Sequence, residues 1–580
     1  MSVIDAPRVD PAPATGGMPA PFPGRQRRTR TASILIVVLL AIMAFFTVVP
    51  VVLVIIMSMQ ENGGGFGFDN WVRTFSRPGF GEALWNTFAL SFVRQLIGTV
   101  LGVMIAWVLA RTDIPGAKWL EYGFWIAVFL PSLTVTLSWI VVFDGHNGVA
   151  NLAWAALGWG QGPFEIYSWW GIVWVQLLSS TLPIKVMLLT PLLRNLDSSY
   201  EEAARTVGAS GGKAMWKITA PLIAPTVLVT VVLGFIRALE AFEVELILGL
   251  PARIDVISTL LYRTVRSNPP DYGGAAVMAV FALLIMIPLV LLQRWYSERN
   301  SFSTISGKFR SDQRKLGKWR IPVFILLLLG VGIMTVLPVV MLFMGSFMKF
   351  FGFFGLTEVW TLDHWVRVVS DATFLRALGN SFLIAGGTAI IAMLIFSGIA
   401  YLLVRRRFRG RAGLDFMVWL PSMLPGVVLG LAYVILFLRV PVLQPLYGTV
   451  GILLVVSVLG VMTLSVQTLK GSIVQIGAEM EEASSGSGAP WLYTFRRIVL
   501  PIIAPSVVVV GVLAFTAAAR STGLIVLLST GENQPLSVLQ LSQMADGNLS
   551  GAAVVGVFLL LMSVGVAAIA RMFGFQAKGM

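Results

Sequence analysis

A few charged side chains stand at the ends of long apolar stretches, where they could contact a solute that crosses a membrane. Glu240 and Glu243 follow one apolar run, and Arg520 follows the equivalent run in the second half of the chain. An ionisable group at mid-bilayer costs about 2.5–3.5 kcal/mol on the insertion scale, so such residues often mark a pathway. We predict that these three residues line the outer end of a translocation pathway. The alternative is a structural ion pair, or side chains that extend to the outer interface.

Two short polar segments between apolar runs share one pattern. Residues 201–225 read EEAARTVGASGGKAMWKITAPLIAP, and residues 481–505 read EEASSGSGAPWLYTFRRIVLPIIAP. Alanine and glutamate favour a helix, the acidic residue suits its start, and the later glycine permits a sharp break. Each segment therefore predicts a short helix across one face of a membrane bundle. The predicted functional positions are Glu202, Ala203, Ala204 and Gly208 in the first segment, and Glu482, Ala483 and Gly488 in the second.

Residues for enzymatic chemistry or for a built-in metal site are scarce. The chain has no cysteine and only two histidines, His146 and His364, which excludes thiol catalysis and thiolate metal sites. The sequence also has no G-x-x-x-x-G-K-[ST] phosphate-binding loop. We therefore predict no catalytic residue, no metal site and no cofactor on this chain, and a transport role rather than an enzymatic one.

The composition indicates a membrane protein. Of the 580 residues, 57% are hydrophobic and only 12% are charged, whereas a soluble domain carries about a quarter charged residues. A membrane-spanning helix needs about 20 mainly apolar residues. Twelve segments qualify as spans: roughly 34–59, 83–110, 120–143, 168–193, 221–248, 273–293, 321–347, 377–404, 415–438, 448–469, 500–528 and 551–571.

The distribution of positive charge predicts the orientation of these spans. With the amino terminus in the cytoplasm, the cytoplasmic connections carry 29 lysine and arginine residues and the outer connections carry 9. This asymmetry follows the positive-inside rule and places both termini in the cytoplasm. It also explains the net charge of +14 without a nucleic-acid partner, since the sequence lacks a basic stripe on a soluble face.

The two halves of the chain are similar in sequence. Asn86-Thr-Phe matches Asn380-Ser-Phe at an offset of 294. Further on, Pro221-Leu-Ile-Ala-Pro matches Pro501-Ile-Ile-Ala-Pro at an offset of 280, so the second copy lacks 14 residues in an outer loop between its third and fourth spans. A pathway on the axis between the copies is the expected consequence, and duplication without a central pathway is the alternative.

Each copy holds six spans, and this even number makes both copies enter the membrane in the same direction. A pseudo-two-fold axis then runs along the membrane normal. The predicted fold is all-α, with about 12 transmembrane helices in two tandem parallel six-helix repeats. We expect a disordered cytoplasmic tail over 1–31, the first repeat over 32–296, a basic cytoplasmic linker over 297–320 and the second repeat over 321–580.

The two polar segments resemble the "EAA" loop of permease subunits of ATP-binding-cassette importers. That loop reads Glu-Ala-Ala, three residues, Gly, nine residues, Ile, one residue, Leu-Pro; Ala220 and Ser484 depart from it. The resemblance implies a type I importer permease in a bacterial inner membrane, whose two short helices are coupling helices. It implies two copies of an ATP-binding subunit, which bind ATP and magnesium, and an extracytoplasmic binding protein that delivers a solute.

Two longer stretches look like permeases for ferric iron: QIGAEMEEASSGSGAPWLYTFRRIVLPIIAPS and LEAFEVELILGLPARIDVISTLLYR. Thiamine, polyamine and phosphonate permeases are close relatives, so the resemblance implies ferric iron first and leaves those substrates open. Carboxylates suit a ferric ion and the planar fork of Arg520 suits a phosphonate, so the residues do not choose. An ion-coupled secondary transporter is the alternative class, but it has no ATPase to dock on the two segments.

Overall fold

The computed structural model describes residues 30–61, 65–195, 220–299 and 314–572, together with Thr206, Gly208, Ser210, Lys213 and Lys217. Over these residues the chain is helical and forms no β-strand. The helices of the first half are α1 (Arg30–Met59), α2 (Asp69–Phe75), α3 (Phe80–Arg111), α4 (Ala117–Phe129), α5 (Ser132–Phe143), α6 (Val149–Ala156), α7 (Trp169–Arg194), α8 (Ala220–Leu239), α9 (Glu243–Gly249), α10 (Ile257–Val265) and α11 (Tyr272–Arg299).

The second half repeats this order of elements. Its helices are α12 (Arg320–Met334), α13 (Val336–Phe347), α14 (Asp363–Ser370), α15 (Ala372–Arg405), α16 (Arg411–Trp419), α17 (Gly426–Arg439), α18 (Val450–Val474), α19 (Glu479–Gly486), α20 (Trp491–Ala519), α21 (Leu536–Ala545) and α22 (Leu549–Met572). The pairs α2 and α14, α3 and α15, and α5 and α17 lie at the offset of 294, and α8 and α20 lie at the offset of 280. The predicted all-α fold of two tandem copies is confirmed.

The third predicted span of each half is a pair of helices rather than one straight helix. α4 and α5 meet at 102°, and α16, extended by a 3-10 turn to Met423, meets α17 at 112°. Pro131 and Pro425 stand immediately before α5 and α17. Proline has no backbone N–H and restricts the residue before it, so it ends the first helix of each pair.

The first bent pair still reaches from one end of the fourth span to the other. Near the start of α4, the Glu121 carboxylate lies 2.7 Å from the Arg194 guanidinium at the end of α7. After α5, the Phe143 carbonyl accepts a 2.9 Å hydrogen bond from the backbone N–H of Ile166, just before α7 begins. Because α7 has 26 residues and is about 39 Å long, the pair covers the same distance and counts as one span.

The fifth predicted span of each half ends earlier than the sequence suggests. The sequence predicts these spans over 221–248 and 500–528, whereas α8 ends at Leu239 and α20 ends at Ala519. In the first half the chain restarts as α9, whose first turn carries two glutamates that complement the positive end of the helix dipole. In the second half, turns over 523–528 take the place of α9. Each fifth span therefore ends in a break that carries charge.

The first span of each half packs against the bent pair of the other half. α1 lies along α16 and α17, and the Tyr433 hydroxyl of α17 donates to the Phe46 carbonyl of α1 at 2.7 Å. In the same way α12 and α13 lie along α4 and α5, and the Ser138 hydroxyl of α5 donates to the Pro338 carbonyl at 2.6 Å. This reciprocal exchange places residues of both halves in one hydrophobic core.

One end of the bundle is basic. The ends of α3, α7 and α15 there carry Arg111, Arg194 and Arg405, and we refer to this end as the basic face. The segment before α12 is bound at it, because the Arg314 N–H donates to the Arg111 carbonyl at 2.8 Å. Of the predicted terminal tail and linker, residues 1–29 and 300–313 lie outside the described residues; α1 already begins at Arg30 and α11 continues to Arg299.

Candidate functional site

A polar cluster lies where three helix breaks meet between the two halves. Ser132 follows the break between α4 and α5, Glu243 follows the break between α8 and α9, and Arg520 follows α20. The Ser132 hydroxyl donates to the Glu243 carboxylate, and the Arg520 guanidinium donates to the Val128 carbonyl. Arg520 and Glu243 also attract each other electrostatically. We call Ser132, Glu243 and Arg520 the seam cluster.

Helix breaks supply the polar groups that this cluster needs. The last four carbonyls of a helix have no partner within it, and the Val128 carbonyl, one residue before the end of α4, is one of them. Arg520 of the second half satisfies it. Glu243 and Arg520 as whole residues are half-buried.

The second half has glycine at the positions equivalent to Ser132 and Glu243. These are Gly426, at the offset of 294, and Gly523, at the offset of 280. A Cβ on Gly426 would lie 3.3 Å from the backbone nitrogen of Leu524. The backbones therefore approach each other directly in the second half, whereas side chains make the equivalent contact in the first. The seam is thus asymmetric, with its carboxylate on the first half and its guanidinium on the second.

Glu240 is partnered locally instead of across the seam. Its carboxylate lies 3.0 Å from the guanidinium of Arg237, three residues earlier on α8. Arg520 stands at the position equivalent to Glu240, at the offset of 280, but Arg520 interacts with Glu243. Of the three predicted pathway residues, the structure brings together Glu243 and Arg520. A pathway role for all three remains a prediction.

A second charged cluster lies inside the first half. Arg94 of α3 lies 3.4 Å from the Glu245 carboxylate of α9, and both side chains are only 2% exposed. Gln176 of α7 donates to the same carboxylate at 3.1 and 3.2 Å. The sequence marks Arg94 and Glu245 as costly charges in apolar segments, but spacing alone gives no sign that they are partners or that Gln176 and Ser132 take part.

The second motif segment forms the helix that the sequence predicts. α19 contains Glu482 and Ala483, both exposed, and Gly488 follows it with φ of +80°. In the first segment Glu202, Ala203 and Ala204 lie outside the described residues, but Gly208 is described and has φ of +84°. A left-handed φ strongly favours glycine because it has no Cβ, so both copies use the residue in the same way.

Side chains tie α19 to the ends of two spans at the basic face. The Glu481 carboxylate lies 2.8 Å from the Arg405 guanidinium and accepts a 3.0 Å hydrogen bond from the Tyr401 hydroxyl, both at the end of α15. Arg405 also donates to the Ile473 carbonyl in the last turn of α18, at 3.1 Å. A displacement of α19 would therefore move α15 and α18 with it.

Apolar side chains project around this helix. Met480 on α19 and Tyr493, just after Gly488, are 51% and 54% exposed. Glu479 and Glu482 are exposed beside them. The surface around α19 therefore exposes both apolar and acidic side chains. Among the described residues, no group of three or more His, Cys, Asp or Glu side chains is placed to hold a metal ion.

Comparisons with known proteins place these features in a family. Residues 98–302 and 394–577 match the family described as "Binding-protein-dependent transport system inner membrane component". The ferric transport system permease protein of Actinobacillus pleuropneumoniae is 27% identical over 408 residues, which cover 69% of this chain and 58% of that relative. The sulfate transport system permease protein of Synechococcus elongatus is 33% identical over 222 residues, 37% of this chain and 76% of the relative.

A solved structure is similar to part of this chain. It is the bacterial ABC transporter involved in the import of the acidic polysaccharide alginate, one chain of which is 21% identical with a TM-score of 0.41. The alignment covers 47% of this chain and 97% of that chain.

Proposed function

The chain belongs to the family of binding-protein-dependent transport system inner membrane components, and we propose that it is the permease of an ATP-driven importer. It is a multi-pass inner-membrane transport component rather than an enzyme. The duplicated motif carries the proposal: Gly208 and Gly488 have φ of +84° and +80° at equivalent places in the repeat. Two equivalent motif segments, one on each half, suit two copies of one ATP-binding subunit, which would bind ATP and magnesium.

We further propose that the basic face is cytoplasmic, with both termini on that side. The charge asymmetry of the connections supports this orientation. The functional positions of the coupling segments are then Glu202, Ala203, Ala204 and Gly208, and Glu482, Ala483 and Gly488. A binding protein would deliver the solute to the opposite face, as the family description implies. The repeat boundaries 32–296 and 321–580, and the linker between them, belong to this proposal.

Coupling in this arrangement is mechanical. An ATP-binding subunit that moves α19 would pull on α15 and α18 through the Glu481–Arg405 ion pair. The first span of each half is packed on the other half, so the two halves rock against each other without separating. Glu240, Glu243 and Arg520 would then line the pathway between the halves, where the seam opens.

Ferric iron is the substrate that we propose. Relatives named as ferric transport permeases support it, including the one from Actinobacillus pleuropneumoniae. The Glu243 carboxylate and Ser132 hydroxyl at the seam offer oxygen atoms, which suit a hard cation. An oxyanion is the second candidate, because a sulfate permease is also among the relatives and Arg520 presents a guanidinium at the same seam.

The transporter class is tested by purification of the affinity-tagged chain from bacterial membranes in mild detergent. We expect an ATP-binding subunit to co-purify at two copies per chain, and ATP hydrolysis to rise when the cognate binding protein is added. Gly488→Ala should reduce that stimulation. A chain that transports alone, driven by an ion gradient, would replace the proposal with a secondary transporter.

The substrate is tested by uptake of radiolabelled ferric iron and radiolabelled sulfate into cells that carry or lack this gene. We expect gene-dependent uptake of iron and no change for sulfate, with Glu243→Gln lowering iron uptake. Gene-dependent sulfate uptake would replace ferric iron by an oxyanion and leave the importer class intact.

A further inference from the structure

Arg94 bridges the break between α8 and α9 from the core of the first half. Its guanidinium donates to the Ala238 carbonyl, one residue before the end of α8, and lies 3.4 Å from the Glu245 carboxylate on α9. Gln176 donates to the same carboxylate from α7. A single buried side chain therefore holds both helices that flank the break, and so fixes the direction in which α9 leaves α8.

The two glutamates of α9 point in opposite directions. Residues two apart in an α-helix are separated by about 200° around its axis, so Glu245 enters the core while Glu243 faces away from it. Glu243 meets Ser132 and Arg520 at the seam. Val244 and Leu248 on the same short helix are fully buried. The position of the Glu243 carboxylate thus depends on how α9 is anchored behind it.

The second half has no such anchor. The positions equivalent to Arg94, Glu245 and Gln176 are Thr388, Ile525 and Val456, and all three are fully or almost fully buried. The equivalent of α9 is a run of turns that packs on Gly426 through its backbone. The charged anchor and the seam carboxylate thus occur together in one half and are absent together from the equivalent positions of the other.

We infer that Arg94 is a positioning residue for Glu243: through Ala238 and Glu245 it fixes α9 to the first half and so places the carboxylate at the seam. The inference rests on the proposed role of Glu243 in the pathway. Replacing a buried ion pair by apolar residues is often neutral or stabilising, so stability alone does not explain why the Arg94–Glu245 pair is present. A fixed position of α9 explains the pair, because Glu243 then stays with the first half when the two halves move apart.

The absence of cysteine makes a direct test possible. In the purified full chain in lipid nanodiscs, Ser132→Cys with Glu243→Cys reports the position of α9, and a short bis-methanethiosulfonate should cross-link the pair. Adding R94M and E245L replaces the buried ion pair by apolar side chains of similar size, and we expect the cross-linking yield to fall roughly fivefold. R94Q/E245Q keeps hydrogen-bonding groups but removes both charges, and it should also lower the cross-linking yield. It tests the inference if the apolar variant does not fold.

Gln95→Leu is the matched control. Gln95 is the neighbour of Arg94 and donates to the Gly234 carbonyl of α8 at 2.8 Å, one helical turn before Ala238, but makes no side-chain hydrogen bond to α9. Its yield should equal that of the parent pair. An unchanged yield in both charge-free variants overturns the inference, and an equal loss in Gln95→Leu overturns it too, because general loosening of α3 would then be the cause.

The cross-link needs neither ATP nor substrate, so it separates this inference from the proposed function. A lost cross-link with normal uptake in Glu243→Gln would support the anchor and remove the pathway role. An unchanged cross-link with lost uptake in Glu243→Gln would keep the pathway role and remove the anchor.

Discussion

At the scale of single residues, the seam brings opposite charges from the two halves near each other. Arg520 satisfies the Val128 carbonyl as well as facing Glu243. Ser132 adds a hydroxyl donor to the carboxylate. Each group of the seam cluster therefore depends on the others, and the loss of one leaves a polar group without its partner.

This dependence predicts non-additive effects on stability. Glu243→Gln or Arg520→Gln should each destabilise the chain by about 1–3 kcal/mol, because the remaining charged group loses the opposite charge near it. The double variant should lose less stability than the sum of the two single losses, because neither charge is left without the other. Thermal unfolding of the purified chain in one detergent measures all three. Lys349→Gln is the control, because Lys349 and its partner Glu358 are 48% and 79% exposed and the loss of an exposed ion pair should change little. Additive losses would contradict a direct interaction.

The sequence locates these charges but does not predict their partners. An ionisable residue in an apolar run stands out in the sequence because hydrocarbon penalises it, and Glu240, Glu243 and Arg520 are such residues. The repeat matched Glu240 with Arg520, but equivalent residues meet only when they lie next to the symmetry axis. Arg520 interacts instead with Glu243, three residues further along, because α8 ends at Leu239 and the chain turns before α9.

At the scale of elements, the motif helix α19 is followed by a turn that favours glycine. In Gly488→Ala the added Cβ would have no atom within 4 Å, but a φ of +80° is strained for any residue with a Cβ. The local cost is about 1–2 kcal/mol. We expect weaker stimulation of ATP hydrolysis by the binding protein and little change in global unfolding temperature. Gly486→Ala is the matched control, since Gly486 lies in α19 with open space around it and alanine favours a helix. Equal effects of the two variants would remove the role of the turn.

The glycine contact of the second half gives another prediction for an element. A Cβ at position 430 on α17 would lie 2.6 Å from the Leu524 carbonyl, a backbone atom that cannot move alone. Gly430→Ala should therefore push the turns over 523–528 away from α17, at a cost of about 1–3 kcal/mol. Gly413→Ala on α16 meets nothing within 4 Å and should not destabilise. Thermal unfolding of both variants tests this, and equal melting temperatures would contradict the close packing.

At the scale of the whole molecule, the repeat was predictable from the sequence and the exchange of first spans was not. Offsets such as that between Pro131 and Pro425 fix the equivalent elements, and even the bend of the third spans occurs at these two prolines. Hydropathy measures apolar length and is insensitive to bends, so it predicts where the spans lie but not where they bend. Hydropathy also cannot predict which half α1 packs against. The hydrogen bond from Tyr433 to Phe46 joins residues 387 positions apart, and such a contact depends on how the helices fit together.

The orientation of the protein in the membrane is the remaining property of the whole molecule that we predict. Single cysteines can be placed at Lys213, in the first motif segment, and at Ser485 on α19, both exposed. A third at Gln161, in the loop before α7, lies toward the opposite face. A membrane-impermeant maleimide should label Gln161→Cys in intact spheroplasts, and the other two only after permeabilisation. The positive-inside rule gives this direction. Labelling of Lys213→Cys and Ser485→Cys from opposite sides would show that one bent pair does not cross, which would remove the parallel repeat and with it the paired coupling segments.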